Sequence, residues 1–310
     1  MVHFRSCNLC EAMCGVRIDV DGDRVVSIRG DEADSFSAGY ICPKATALGD
    51  IHHDPDRLRR PMRRTPGGWV EISWDEALDE TAARIHDIRS QHGPHAVAMY
   101  LGNPTVHNHG ALLYSLLFAK ALGSRSRFSA TSVDQLPKML ASLLLYGHQL
   151  LMSVPDVYRT DCFIIFGANA AVSNGSIMSA PGMRHRLAAI RARGGRVIVF
   201  DPRRTETAEL ADEHIAVRPG TDALVLSAML NVLFAEDRVQ LQHLSSHVQG
   251  IDALRGAVAG LSPEATAPVT GVDAAVLRRI VRTYVQTPRA VIYGRVGVSM
   301  HAYGGLANWL

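Results

Sequence analysis

The sequence predicts an α/β protein in which a small β-rich module is followed by layered α/β domains with mainly parallel sheets. Three observations carry that prediction. The chain has 310 residues, 47% of them apolar and 20% charged, enough for about two domains with buried cores. From about His95 onward, short apolar strand-like runs alternate with longer helix-like runs, the order that lays helices on a parallel sheet. Four of the five cysteines fall within the first 42 residues, ahead of that alternation.

Cys7, Cys10 and Cys14 fit C-x2-C-x3-C, and Cys42 follows at a distance with Pro43 directly behind it. Between Cys14 and Cys42, Val16 to Val20 and Arg24 to Ile28 alternate apolar and polar residues around Asp21-Gly22-Asp23, the pattern of a hairpin. Residues 1–56 are therefore expected to form one small β unit around the cysteines. An Arg- and Pro-rich stretch from about Asp54 to Gly68, including Arg59 and Arg60, is expected to be a solvated linker. Ser73 and Glu76 then form a capping box that opens a helix with Leu78, Ala82, Ile85 and Ile88 on its apolar face, stopped by Gly93-Pro94.

Beyond it, the strand candidates are His95 to Leu101, Asp161 to Phe166, Arg196 to Phe200, His214 to Val217 and Ala290 to Tyr293. Helix candidates are Gly110 to Leu122, Leu136 to Tyr146, Ser179 to Arg193, Thr221 to Ala235 and Ala274 to Val285. The sequence shows no internal repeat and no low-complexity segment.

Charge and hydropathy narrow the partners. Thirty-two Lys and Arg against thirty Asp and Glu leave a net charge of +2, so no whole-protein field draws the chain to nucleic acid or to an acidic membrane. The densest apolar run, Leu140 to Leu151, is too short and too interrupted to cross a bilayer. Too few residues precede Cys7 for an export signal, so a cytoplasmic location is expected, with a small-molecule substrate rather than nucleic acid or membrane.

In a reducing compartment, clustered cysteines point to metal ligation rather than disulfides. Zinc sites usually take two separated cysteine pairs, whereas here three thiols crowd one loop and the fourth is remote. That spacing suits a cubane iron–sulfur cluster, in which each thiolate binds a different iron, with zinc and unligated thiols as alternatives. Cys162, inside Asp161 to Phe166, reads as a buried structural thiol.

A second chemical signal lies at the ends of the expected strands. Phe166-Gly167-Ala168-Asn169 ends one strand and Phe200-Asp201-Pro202-Arg203 the next, and ligands of open parallel sheets bind at such carboxyl ends. Ser173-Asn174-Gly175-Ser176 offers backbone N–H groups and hydroxyls to a phosphate before the next helix, and Asp201 can accept from a ribose or a base edge. No G-x-G-x-x-G fingerprint is present, which disfavours a standard nicotinamide or flavin site. Ordinary strand-end turns are the alternative.

Together these residues resemble the molybdopterin oxidoreductase family, which contains formate dehydrogenases and nitrate reductases. The resemblance covers the whole chain. Cys7-Asn8-Leu9-Cys10-Glu11-Ala12-Met13-Cys14-Gly15 with Ile41-Cys42-Pro43-Lys44 is similar to that family's N-terminal 4Fe-4S module, which makes Cys7, Cys10, Cys14 and Cys42 the implied ligands. Gly167 and Asn169, Ser173 and Asn174, Asp201-Pro202-Arg203-Arg204-Thr205, and Gly220-Thr221-Asp222 resemble segments that hold a bis-molybdopterin guanine dinucleotide carrying molybdenum or tungsten. Arg295, in Gly294-Arg295-Val296-Gly297, resembles a further one.

The resemblance implies more. Lys44 would lie between cluster and pterin, and electrons would pass singly through the cluster to a redox partner protein or subunit. The family's metal ligand falls in the segment that reads here Phe128 to Gln135, which lacks cysteine. Asp134 or Ser132 is then the candidate ligand, or the site uses an oxo or hydroxo group alone; a simple cap on the next helix is the alternative for Asp134. His107 and His109 are candidates to face the same site.

The implied domains are the 4Fe-4S module, 1–56; a first α/β domain, 57–127 plus 289–310; and a second, dinucleotide-binding α/β domain, 128–288. The family's chains are longer, so the residues to Leu310 would be an N-terminal portion, truncated before the C-terminal barrel. The expected function is a molybdenum- or tungsten-dependent oxidoreductase acting on a small substrate such as formate or an oxyanion. The alternatives are a non-catalytic iron–sulfur electron-transfer or cofactor-binding protein and a zinc-stabilised interaction protein.

Overall fold

The structure, a computed structural model, describes every residue except Glu11, Asn103, Pro104, Val106, His107, Ser176, Ile177 and Ser179. It divides into two compact units, Met1–Ala130 and Thr131–Leu310.

The first unit opens with strands β1 (Val2–Ser6), β2 (Gly15–Asp21) and β3 (Arg24–Gly30), an antiparallel sheet in that order. The hairpin read from the alternation is β2-β3, and β1 pairs along its other side. Two short helices follow, α1 (Pro43–Thr46) and α2 (Leu48–His53). Ala45 of α1 and Leu48 of α2 join Val16, Ile18 and Ile28 in one small core, to which Cys7, Cys10 and Cys14 also belong.

The stretch expected to be a linker is partly ordered as a hairpin, β4 (Met62–Thr65) with β5 (Gly68–Glu71). Its arginines are used in pairing: Arg60 meets Glu71 at 3.2 Å and Arg63 meets Glu80 at 2.7 Å. Helix α3 (Trp74–His92) starts on the expected capping box, with both reciprocal bonds between Ser73 and Glu76 formed, and ends at Gly93.

The burial expected for α3 is not found. Leu78 is 61% and Ile88 42% exposed. The strand expected from His95 shortens to β6 (Met99–Leu101). After α4 (His109–Leu122), it pairs in parallel with β7 (Arg127–Ser129) alone. Two short strands offer too little surface to cover either helix, and Leu113, Leu116 and Leu117 of α4 are likewise exposed.

The second unit begins with α5 (Leu136–Tyr146), bounded as the sequence predicts. Then come β8 (Cys162–Phe166), α6 (Ala170–Ser173), α7 (Met183–Ala192), β9 (Arg196–Phe200), α8 (Glu206–Leu210) and β10 (Glu213–Ile215). Helices α9 (Asp222–Ala235), α10 (Ile251–Val258), α11 (Pro263–Thr270) and α12 (Ala274–Gln286) lead to β11 (Ala290–Gly294), α13 (Val296–Ser299) and α14 (Gly304–Trp309). Helix α7 begins at Met183, later than the Ser179 start read from sequence.

The strands form one parallel sheet in the order β10-β9-β8-β11. Every residue of β8 is buried, as a strand covered on both faces must be. Cys162, Ile164 and Phe166 face one core with Val225 and Val232 of α9 and Leu277 and Ile280 of α12. Phe163 and Ile165 face the other with Leu187 and Ile190 of α7.

β11 corrects the expected domain assignment. The sequence expectation puts residues 289–310 with the first α/β domain, yet Ala290 to Gly294 pair with Cys162 to Phe166 in the sheet of the second unit. Ala290 and Ile292 pack on one core of this sheet and Val291 and Tyr293 on the other, so β11 belongs beside β8. The chain thus runs outward through β8, β9 and β10 and returns to the opposite side of β8. That reversal makes a topological switch point between the carboxyl ends of β8 and β11.

Candidate functional site

In the first unit, the loop between β1 and β2 carries three cysteines. Its ends are closed by the Cys7 N–H donating to the Cys14 carbonyl at 2.8 Å, and Met13 turns through a positive φ of 46°. Cys42 caps α1, with Pro43 in the first helical position. All five cysteines of the chain are free thiols.

The four N-terminal thiols lie within one another's electrostatic reach. Burial, then the neighbouring Cys10, Cys7 and Cys42, push the Cys14 thiol up to about 11. Burial also raises Cys7, opposed by the Leu9 N–H and by the Lys44 ammonium, and reinforced by Cys10 and Cys42. Four thiols so placed can ionise together only around a polycation, which is what a cubane of iron supplies. Among the described residues no three His, Cys, Asp or Glu side chains converge on a single metal ion; a cubane instead takes one thiolate per iron. The residues fit the cluster. Lys44 is exposed on α1 and acts on Cys7.

In the second unit, four segments singled out from sequence end or follow four adjacent parallel strands. Gly167 and Asn169 follow β8, Asp201, Arg203 and Thr205 follow β9, Gly220 and Asp222 follow β10, and Arg295 follows β11. The strand ends are laced together: Gly167 N–H donates to Phe200 O at 3.0 Å, Arg295 N–H to Phe166 O at 3.2 Å, and Gly297 N–H to Gly167 O at 3.0 Å. Gly167 (φ +53°) and Gly297 approach so closely that a Cβ on Gly167 would lie 2.8 Å from the Gly297 Cα.

Several of these side chains brace the rim. Asn169 donates to Glu206 at 2.7 Å and accepts from the Thr207 hydroxyl at 2.9 Å, tying the β8 turn to α8. Thr205 caps α8 by accepting from the Ala208 N–H. Asp201 accepts from the Arg203 N–H at 2.9 Å, while the Arg203 side chain is exposed beside Glu206. Ser173 is exposed at the end of α6, and Asn174 turns through a left-handed conformation that buries it. Asn174 and Gly175 form a turn, and the expected phosphate-binding helix start at Ser176 lies outside the described residues.

Asp222 is buried at the start of α9, and its carboxyl is raised by that burial, eased by His301 and raised further by Asp201. Asp134 does not cap α5. Its carboxylate meets Arg295 at 2.6 Å, and Gln135 accepts from the same guanidinium at 3.0 Å. Lys138 lies close by, donating to Gly294 O at 3.3 Å over the Tyr293 ring; burial, with Arg295 beside it, pulls it down to about 8. In the first unit, His109 starts α4 and is exposed; His107 lies outside the described residues.

Residues 57–287 match the family described as Molybdopterin oxidoreductase, and residues 5–54 match its Fe4S4 domain. The chain belongs to the molybdopterin oxidoreductase family. It is 30% identical over 92% of its length to the thiosulfate reductase molybdopterin-containing subunit PhsA of Salmonella typhimurium, covering 37% of that protein. It is 28% identical over 96% to formate dehydrogenase H of Escherichia coli, covering 42%. Among solved structures, acetylene hydratase from Pelobacter acetylenicus matches 98% of the chain with a TM-score of 0.82 at 25% identity, over 42% of that chain. The chain thus spans about two fifths of the length of these relatives.

Within this member of the family, sequence reasoning missed Lys138, Gln135 and His301. None carries a local motif; each reaches the strand ends only through the return of β11 to β8 or the packing of the segments beside it. Among the described residues no helix is long and apolar enough to cross a membrane.

Proposed function

We propose that the chain is the cluster- and dinucleotide-binding part of a molybdenum- or tungsten-dependent oxidoreductase that acts on a small substrate such as formate or an oxyanion. The observation that carries this is the arrangement of the second unit: four segments similar to dinucleotide-binding ones stand at the carboxyl ends of one parallel sheet with a switch point between β8 and β11. The bound metal would exchange electron pairs with substrate, and the cluster would pass electrons singly to a redox partner protein or subunit.

The chain's own residues have separable tasks. Cys7, Cys10, Cys14 and Cys42 hold the cluster. Asp201 and Asp222 are acceptors for ribose and base, and the turns at Gly167, Asn174 and Gly220 bring backbone close to a pyrophosphate. Arg295, held by Asp134, presents a guanidinium at the switch point. A pair so engaged gives Asp134 a role without metal ligation. The relatives' names speak of thiosulfate, formate and acetylene, so family membership leaves the substrate open.

Lys44 is the proposed link in the electron path, because its ammonium already acts on the thiol of Cys7. Rapid mixing of the holoenzyme with a reducing substrate should bleach the cluster absorption. Lys44→Met should keep iron and molybdenum and slow that bleaching by about tenfold, the effect of one lost charge-assisted hydrogen bond. An unchanged rate removes Lys44 from the path, and a cluster that no small donor reduces contradicts the proposed function.

A further inference from the structure

His301, between α13 and α14, is a residue whose burial the fold itself does not explain. Its side chain is 11% exposed, and both ring nitrogens are buried without a hydrogen-bond partner. A buried polar group left unpaired is costly, so such groups in folded proteins generally mark a ligand or a missing partner. The nearest group of opposite charge is Asp222, whose Oδ2 stands 3.5 Å from His301 Nε2. The His301 Cβ also packs 3.9 Å from where a Cβ on Gly220 would stand, against the turn that leads into Asp222.

Asp222 at the start of α9 is raised further by Asp201 at the end of β9, and a proton on His301 would ease it. A carboxylate can accept from two neighbouring donors only when ionised; protonated, it becomes a donor and rejects them. The edge of a guanine base presents two such donors side by side.

We propose that His301 is a positioning residue that holds Asp222 as an ionised, oriented acceptor for the guanine end of the dinucleotide. The proposal rests on the cofactor reading given above. His301 Nε2 faces the Asp222 carboxylate from 3.5 Å rather than the base, so its effect is on affinity and on the pH at which affinity is lost. The charged groups that face Asp222 are His301 and Asp201, from the segments after α13 and β9.

The sign follows from the environment. Burial raises Asp222, and His301 opposes that rise. Without His301, Asp222 takes up its proton at higher pH, so binding that needs the carboxylate fails earlier as pH falls.

The test is equilibrium binding of GDP to the protein between pH 8 and pH 6, in wild type, Asp222→Asn, His301→Ala and His301→Gln. Asp222→Asn should bind weakly throughout. His301→Ala should bind about tenfold more weakly than wild type at pH 7, and the ratio of the two dissociation constants should widen as pH falls. His301→Gln keeps a donor toward Asp222 and should recover part of the affinity while retaining the pH dependence. Comparing ratios removes the titration of the nucleotide's own phosphate. If GDP binding depends on Asp222 but both His301 variants bind as wild type at every pH, the positioning role is overturned and the cofactor reading stands. If GDP does not bind wild type, or binds without regard to Asp222, the cofactor reading fails and the positioning role with it.

Discussion

Cys10→Ala is expected to abolish the broad visible absorption of the cluster and to unfold the module around it. The reason is the composition of that module's core, in which Cys7, Ala12, Cys14, Val16 and Ala45 are the buried members and Ile18, Ile28 and Leu48 pack at its edge. So few aliphatic side chains cannot offset the chain entropy of about fifty residues, and ligation must supply the difference. Losing one of four thiolates opens the cage and removes that contribution. Cys162→Ala is the control, because that thiol is buried in β8 and burial pushes it up to about 11, far from the other cysteines in sequence and unit. It should cost about 1 kcal/mol of stability through a small cavity and leave the iron content unchanged. Iron analysis and limited proteolysis decide the matter: equal iron in wild type and Cys10→Ala would end the assignment.

Gly167→Ala is expected to destabilise the second unit by about 3 kcal/mol or more, from two effects that add. The φ of +53° is strained for any residue with a Cβ, and the new methyl would lie 2.8–2.9 Å from backbone atoms of Gly297 and Val298. Backbone cannot swing aside as a side chain can, so β8 and β11 must part at the switch point. Gly194→Ala separates the two effects, since Gly194 also has a positive φ, +85°, with nothing within 4 Å of its Cβ position. That variant should lose only about 1–2 kcal/mol. Equal midpoints for the two variants in urea unfolding would show that the close approach contributes nothing.

The sequence was most readable where local rules dominate. The capping box at Ser73, the turn between β2 and β3, and the span of α5 are set by residues a few positions apart, and they stand where the pattern puts them. The unbroken apolar runs Cys162 to Phe166 and Val197 to Phe200 likewise announce strands covered on both faces. Reading failed where a partner distant in sequence decides. Nothing in Ala290 to Gly294 says that its neighbour is β8, so residues 289–310 were placed in the wrong unit. The apolar stripe of α3 announces a buried face, but the pairing of β6 with β7 leaves it open. The Arg and Pro content of Asp54 to Gly68 suggests a solvated strap, while its second half pairs as the β4-β5 hairpin, with Arg60 and Arg63 meeting Glu71 and Glu80. At the site, glycines and acids at strand ends were legible because turns demand them. Lys138 and His301 were not, because only tertiary return brings them there.

The most direct test of the account is elemental and nucleotide analysis of one anaerobic preparation of the holoenzyme. About four iron atoms per chain, molybdenum or tungsten, and guanine nucleotide released by acid are predicted together, the iron from the cysteine loop and the rest from the strand ends of the second unit. Iron without molybdenum, tungsten or guanine nucleotide would instead mark an electron carrier, and zinc without visible absorption would contradict the cluster site.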